Sequence, residues 1–250
     1  MHAKAQLGAA LAAVAFLAGC SSQNISNVEH DPLEGFNRGV YAVNDATDRV
    51  LVKPLARGYK AITPRFARRS VSNFFDNLVT PRSSLNNFLQ GKPGRGFSDL
   101  GRFAMNSTFG VGGLFDVATS AGLEATDEDF GQTLAVWGVA PGPYVVLPML
   151  GPRTLRDTIA MPVDFLADPT YHYDETSVKD KLRVLQIINL RARLLAADAL
   201  LEESNDPYIT LRESYLQNRE YEIYDGDPPL DDDFYDEFDD EFFDEEEPTD

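Results

Sequence analysis

Apolar side chains along this chain recur mostly at three- and four-residue intervals, the period of helices that bury one face. In "PRFARRSVSNFFDNL", Phe74, Phe75 and Leu78 share a face while Arg65, Arg68 and Arg69 crowd the start. "TPRSSLNNFLQGKPG" predicts a second, short helix closed by Gly91, with Pro93 just beyond. "SDLGRFAMNSTFG" places Leu100, Phe103 and Ala104 at helical spacing, and "VKDKLRVLQIINLRARLLAADALLEES" is the longest periodic run, with Leu182, Leu185, Ile188 and Leu195 among its apolar positions. "DPYITLRESYLQNREYEIY" predicts a last helix with Asp206 as N-cap and Pro207 at the first helical position. "GPYVVLPMLGP" breaks this pattern: Gly-Pro pairs bound it and Pro148 interrupts it, so it reads as an extended segment or hairpin arm. The pattern predicts a mainly α, single-domain protein with irregular Gly/Pro connections.

The stretch "FGVGGLFDVATSAGL", residues 109 to 123, is more apolar than a loop and richer in glycine than an ordinary helix. Wound as a helix it places Val111, Leu114, Phe115 and Ala118 on one face, with Gly113, Asp116 and Ser120 on the other. Fifteen residues reach about 22 Å, short of a hydrocarbon core of roughly 30 Å. A protein core, part-way insertion into a membrane and the wall of an apolar cavity all suit such a segment.

The N-terminus narrows that choice. Lys4 supplies a small positive n-region, residues 7 to 18 form an apolar run of signal-peptide length, and the run ends in Leu17-Ala18-Gly19-Cys20. This resembles the lipobox of bacterial lipoproteins, which implies cleavage after residue 19 and acylation of Cys20. Cys20 is the single cysteine of 250 residues, so disulfides are excluded. Three acyl chains exceed the two signals needed for stable anchoring. By the same resemblance Ser21, standing where an inner-membrane lipoprotein has Asp, points to sorting to the outer membrane. Residues 21 to 30 are polar, so 20–30 reads as a lipidated tether before a folded region at 31–224.

Charge changes the picture only at the other end. The net charge is −18, but fifteen of the 40 acidic residues and none of the 22 basic ones fall in 225–250, which leaves the preceding chain at only −3. Nucleic acid is therefore an unsuitable partner for the body, and 225–250 reads as a disordered acidic tail. Within it Phe234, Phe238 and Phe242 recur every four residues, beside Tyr235 and Phe243. A helix formed on binding would present them as one stripe to a partner with a basic rim.

Candidate chemistry is sparse. Arg65, Arg68 and Arg69, with Arg82, Lys92, Arg95 and Arg102, suit either lipid phosphates or a solvated face. "GKPGRG" at 91 to 96 lacks the Gly-Lys-Ser/Thr ending of a nucleotide loop and reads as a helix stop. His172 has Asp168 and Asp174 nearby, but Pro169 prevents one helix from presenting all three, so a surface histidine is expected and no metal or cofactor. No Gly-x-Ser-x-Gly elbow is present, and no nucleophile–base pair is legible.

Five blocks carry a family resemblance: "DPLEGFNR" at 31 to 38, "LNNFLQG" at 85 to 91, "RFAMNSTFGVGGLFDVAT" at 102 to 119, "FGQTLAVWGVAPGPYVVLPMLGPRTLRD" at 130 to 157 and "SNDPYITLRESY" at 204 to 215. In this order they resemble the MlaA (VacJ) lipoproteins. The resemblance implies a helical ring embedded in the inner leaflet of the outer membrane and enclosing an amphipathic channel. It also implies that phospholipid mislocalised to the outer leaflet is removed and passed to a soluble periplasmic carrier, often beside a trimeric porin, without catalysis. With an anchor and these blocks, Val111, Gly113, Leu114, Phe115 and Ala118 become lipid-facing or channel candidates. The alternatives are a membrane-anchored phospholipid hydrolase and a structural, porin-associated lipoprotein.

Overall fold

The computed structural model describes residues 31–172 and 175–229. The lipidation and sorting positions Cys20 and Ser21, together with Asp174 and the aromatics of the acidic tail, lie outside the described residues.

Helix α1 (Glu34–Thr47) runs through a π turn (Asp48–Val52) into α2 (Lys53–Ile62). Pro54 has no amide to continue the helical ladder, and the wider turn stands immediately before it. Helix α3 (Arg65–Leu89) is one continuous helix of 25 residues with Pro81 inside it. The two helices expected here are therefore merged. The bond lost at Pro81 is tolerated because both halves of α3 are fixed by side-chain hydrogen bonds to other elements, including Asn77 Nδ2 to Ser107 Oγ (3.1 Å) and Ser84 Oγ to the Gly96 carbonyl (2.8 Å).

At the end of α3, Gly91 takes φ +76°, and the Lys92 amide bonds back to the Asn87 carbonyl. Helix α4 (Pro93–Thr108) starts directly after this turn, then follow a short α5 (Val117–Ser120) and α6 (Phe130–Val136). The expected hairpin is present: β1 (Tyr144–Leu147) pairs antiparallel with β2 (Gly151–Thr154), with Tyr144 opposite Thr154. Helix α7 (Leu155–Ala167), α8 (Thr176–Leu194), α9 (Asp198–Glu203) and α10 (Pro207–Ile223) complete the chain. Asp206 caps α10 as expected, accepting from the amides of Tyr208 (3.0 Å) and Ile209 (3.3 Å).

Packing runs in a closed circuit. It passes from α1 through the π turn to α2, α8, α3, α6, α7, β2 and β1, and from β1 back to α1, while α4 lies along α3 and α10 bridges α6 to β2. The hairpin closes the circuit. Tyr144, Val146, Tyr208 and Leu216 form a small apolar cluster there, with Tyr41 edge-on to Tyr208. Asn37 of α1 donates to Asp31 and to the Tyr144 carbonyl (3.0 Å), and Tyr208 donates its hydroxyl to the same Asp31.

Candidate functional site

Helices α3 and α4 bury the faces that the apolar periodicity would place outside. On α4 the buried row is Asp99, Arg102 and Asn106, at i, i+3 and i+7, while Leu100 and Phe97 point outward. On α3 it includes Asn77, Ser83, Ser84, Asn86 and Asn87 beside Phe75. Of the predicted apolar face Phe75 is buried while Phe74 and Leu78 are only half-buried, so that face coincides with the core face only in part.

Between these rows lies a hydrogen-bonded polar interior. Asp99, wholly buried, accepts from Ser83 Oγ (3.1 Å), Asn87 Nδ2 (2.9 Å) and Thr126 Oγ1 (2.5 Å) through one oxygen. Burial pushes its carboxyl above the ordinary range although these donors oppose the shift. Next to it, Gln90 donates to Glu128 (2.8 Å) and Thr133 donates to Asn86 (2.8 Å). The amide oxygens of Asn77, Asn87 and Gln90 are buried without a partner among the described residues.

A second polar cluster ties α6, α7 and α10. Arg219 reaches Asp129 (2.6 Å) and Asp157 (3.0 Å), Arg156 reaches Asp157 (3.2 Å), and Tyr215 donates to Asp157 (2.8 Å). Burial alone would raise the Asp157 carboxyl, but the two guanidinium groups and the tyrosine hold it down at about 2. Gly131 makes room for this pair: a Cβ there would lie 2.4 Å from Asp157 Oδ1 and 2.6 Å from Arg219 Nη2.

The stretch at 109 to 123 is not one helix. After α4 the chain turns with Val111, Gly112 and Gly113 at φ +55°, +68° and +88°, and becomes helical again only at Val117. A polar latch forces the turn. Arg102 holds Asp116 through both oxygens (3.1 Å each), Asn106 donates to Asp116 (3.1 Å) and accepts the Ala118 amide (3.0 Å), and Asn73 donates to the Leu114 carbonyl. Gly113 sits against Asn77, where a Cβ would come within 2.7 Å of that side chain.

The predicted single face is thereby split. Val111 and Phe115 project outward with Phe109, which is 77% exposed; Leu114 stands at the edge, Ala118 is fully buried, and Gly113 is a packing position.

The remaining candidates are placed as follows. Arg82 pairs with Asp127 (3.0 Å), Lys92 with Asp225 (2.7 Å), and Arg95 with the same Asp225, so these cations are neutralised inside the chain. The acidic run at the C-terminus thus begins with a residue fastened to the start of α4. Arg65, Arg68 and Arg69 instead line an open cleft. His172 is exposed and contacts the Leu166 carbonyl (2.6 Å), while Asp168 accepts from the Thr170 amide (2.8 Å). Among the described residues no group of three or more acidic, histidine or cysteine side chains is placed to hold a metal.

Sequence reasoning missed Asn37, Asn44 and Arg219. Asn44 repeats the Asn37 grip one heptad on, donating to the Leu147 carbonyl and accepting the Met149 amide, both at 2.9 Å. The available signal was two asparagines seven apart on a helix, in the place where a core face would carry Leu.

The outer surface completes the arrangement. Val50, Ile62, Phe66 and Ile187 of the π turn, α2, α3 and α8, Leu200 of α9, and Phe109, Trp137 and Met149 in the connections are exposed. Among the described residues no helix is long and apolar enough to cross a membrane. A closed helical circuit with a polar, hydrogen-bonded α3–α4 interface and many large apolar side chains on its surface defines a class of amphipathic helical proteins that depart from the polar-out pattern of ordinary water-soluble bundles.

Residues 29–222 match the MlaA lipoprotein family, and the chain belongs to that family. It is 39% identical to the intermembrane phospholipid transport system lipoprotein MlaA of Escherichia coli K12 over 87% of this chain and 88% of that protein. With the protein of the same description from Haemophilus influenzae it shares 33% identity, over 90% and 93% of the two chains. A solved structure concerned with the structural basis for maintenance of bacterial outer membrane lipid asymmetry aligns with a TM-score of 0.70 at 40% identity, over 78% of this chain and all of that one.

Proposed function

We propose that this chain is a lipid-anchored phospholipid transporter of the outer membrane, which withdraws mislocalised phospholipid from the outer leaflet and passes it to a soluble periplasmic carrier. The observation that carries this reading is the reversal of polarity. Asn87 and Asp99 are fully buried while Ile62 and Phe66 are 83% and 73% exposed, an arrangement costly in water and favourable in hydrocarbon, where each large apolar side chain taken from water contributes about 1.5–3 kcal/mol. With no described helix able to span a bilayer, the ring sits in one leaflet, held there by acylated Cys20. Its polar interior offers hydrogen bonds to a headgroup while acyl tails keep contact with the exterior. A trimeric porin beside the ring belongs to the same reading, with the exposed apolar side chains as its candidate contact surface.

Conduction rather than hydrolysis suits the chemistry. Ser83 is buried against the carboxylate of Asp99, but its other described partners are Thr126 and the Glu128 amide, with no histidine to serve as base. The test is lipid mass spectrometry on protein extracted from membranes in mild detergent. Intact phospholipid bound to the protein is expected. Release of fatty acid or lysolipid supports the hydrolase, and absence of bound lipid the structural lipoprotein.

A further inference from the structure

The cleft between α2, α3 and α8 has a volume of about 510 Å³, and its charge is one-sided. Lys60, Arg65, Arg68, Arg69 and Arg193 line it against a single acid, Asp76, which Arg193 contacts at 3.5 Å. Arg68 is locked in place by donating to the carbonyls of Lys60 (2.8 Å) and Thr63 (2.6 Å). Arg65 and Arg69, its neighbours across the first turns of α3, are exposed and have no hydrogen bond or ion pair among the described residues.

This placement opposes the helix dipole. Cations are disfavoured at a helix N-terminus, and α3 begins at Arg65 with no side-chain cap and no acidic residue in its first turn. An anion in the cleft would satisfy the guanidinium groups and the free amides at once. The floor is polar and ordered: Tyr59 donates to Asn189 (3.2 Å), and Asn189 donates to Ser72 (2.9 Å). Ile62 and Phe66, which stand three residues before and one residue after Arg65 in the chain, are largely exposed and put apolar surface beside that end of the cleft.

We propose that this cleft binds the phosphate of an anionic phospholipid headgroup, with Arg65 and Arg69 as the phosphate donors, Arg68 as a fixed third cation, and the first acyl carbons resting on Ile62 and Phe66. The lipid reading above supplies the class of ligand. The cleft adds a preference within that class, for a phosphodiester with no compensating ammonium, such as phosphatidylglycerol, over zwitterionic phosphatidylcholine.

The test uses the full-length acylated protein in mild detergent, with phosphatidylglycerol, phosphatidylcholine and inorganic phosphate as probes and bound lipid counted by native mass spectrometry. Wild-type protein is expected to favour phosphatidylglycerol about tenfold, ~1.4 kcal/mol, with the preference falling as salt is added. Arg65→Gln/Arg69→Gln should lose the preference while keeping the wild-type melting temperature, and Arg65→Lys/Arg69→Lys should retain most of it. A wild-type protein without preference, or a glutamine variant that keeps it, overturns the site. Displacement of the lipid by inorganic phosphate at equal phosphate concentration overturns the headgroup assignment. Intact phosphatidylglycerol and phosphatidylcholine bound equally well by the wild type would leave the transport reading standing while the anionic site fails.

Discussion

The Asn37 side-chain oxygen accepts the backbone N–H of Val146 at 2.8 Å, across 109 residues of sequence. Its amide nitrogen meanwhile donates to the Tyr144 carbonyl and to Asp31, so one buried side chain serves as a partner strand for β1. Asn37→Ala leaves the Val146 amide and the Asp31 carboxylate short of partners and is expected to destabilise the protein by roughly 2–3 kcal/mol. A lower melting temperature and faster amide exchange at Val146 would register it; unchanged exchange would show that the hairpin holds without α1.

The two ends of the 111–113 turn predict opposite signs. Val111 is β-branched at φ +55°, so Val111→Gly should relieve on the order of 1 kcal/mol of backbone strain and raise the melting temperature. Gly113→Ala meets Asn77 at 2.7 Å with φ +88° and should cost about 1–3 kcal/mol. Calorimetry of both variants in one detergent checks the pair, and a shift of the same sign in both would refute the assignment.

Acid should attack the Arg219 cluster. The Asp157 carboxyl is held at about 2 in the folded chain, against about 3.9 when unfolded. Its contribution, on the order of 2 kcal/mol, is thus complete above pH 4 and lost as pH falls towards 2. Asp157→Asn should flatten that acid limb, and Arg219→Met, which leaves half-buried Asp129 without a cation and Asp157 with only Arg156 and Tyr215, should cost about 3 kcal/mol at neutral pH. Unfolding curves between pH 2 and 7 give both results.

Phe109 and Phe115 project from the turn, so Phe109→Asp/Phe115→Asp places charge where hydrocarbon is proposed. The cost is about 2.5–3.5 kcal/mol per site at the bilayer centre and less near the interface. Co-flotation of non-acylated protein with vesicles should fall. Equal flotation of wild type and variant would remove this turn from the membrane.

Cys20→Ser should abolish acylation and release the protein from stable anchoring, and Ser21→Asp should retain it at the inner membrane. Palmitate labelling and membrane fractionation measure these two effects.

The hairpin and the α10 cap were legible because their determinants are local: Gly-Pro punctuation on one side and an Asp-Pro start on the other. The turn at 111–113 was hidden because Arg102, Asp116 and Asn106 force it from outside the stretch, and no periodicity reports such a latch. Helix α3 was divided at Pro81 for a similar reason, its continuity being secured by partners on other elements. The polar interior was obscured by the usual rule that the apolar stripe faces inward. Asp99, Arg102 and Asn106 show the same helical spacing as a core face, but their partners Ser83, Asn87, Thr126 and Asp116 lie on other elements and leave no mark in the periodicity of this helix.

The clasp at the hairpin also sets an order of assembly. Tyr208 bonds to Asp31 and Arg38 pairs with Asp206 at 2.7 Å, so the first described helix depends on the last. A chain made from its N-terminus cannot close this circuit until residue 208 has followed, and contacts this distant in sequence form slowly. Through that interval the exposed apolar side chains and the buried polar groups that later pair, Asp31 and Asn37 among them, are both open to water, so the last helix is what ends the chain's most vulnerable stage.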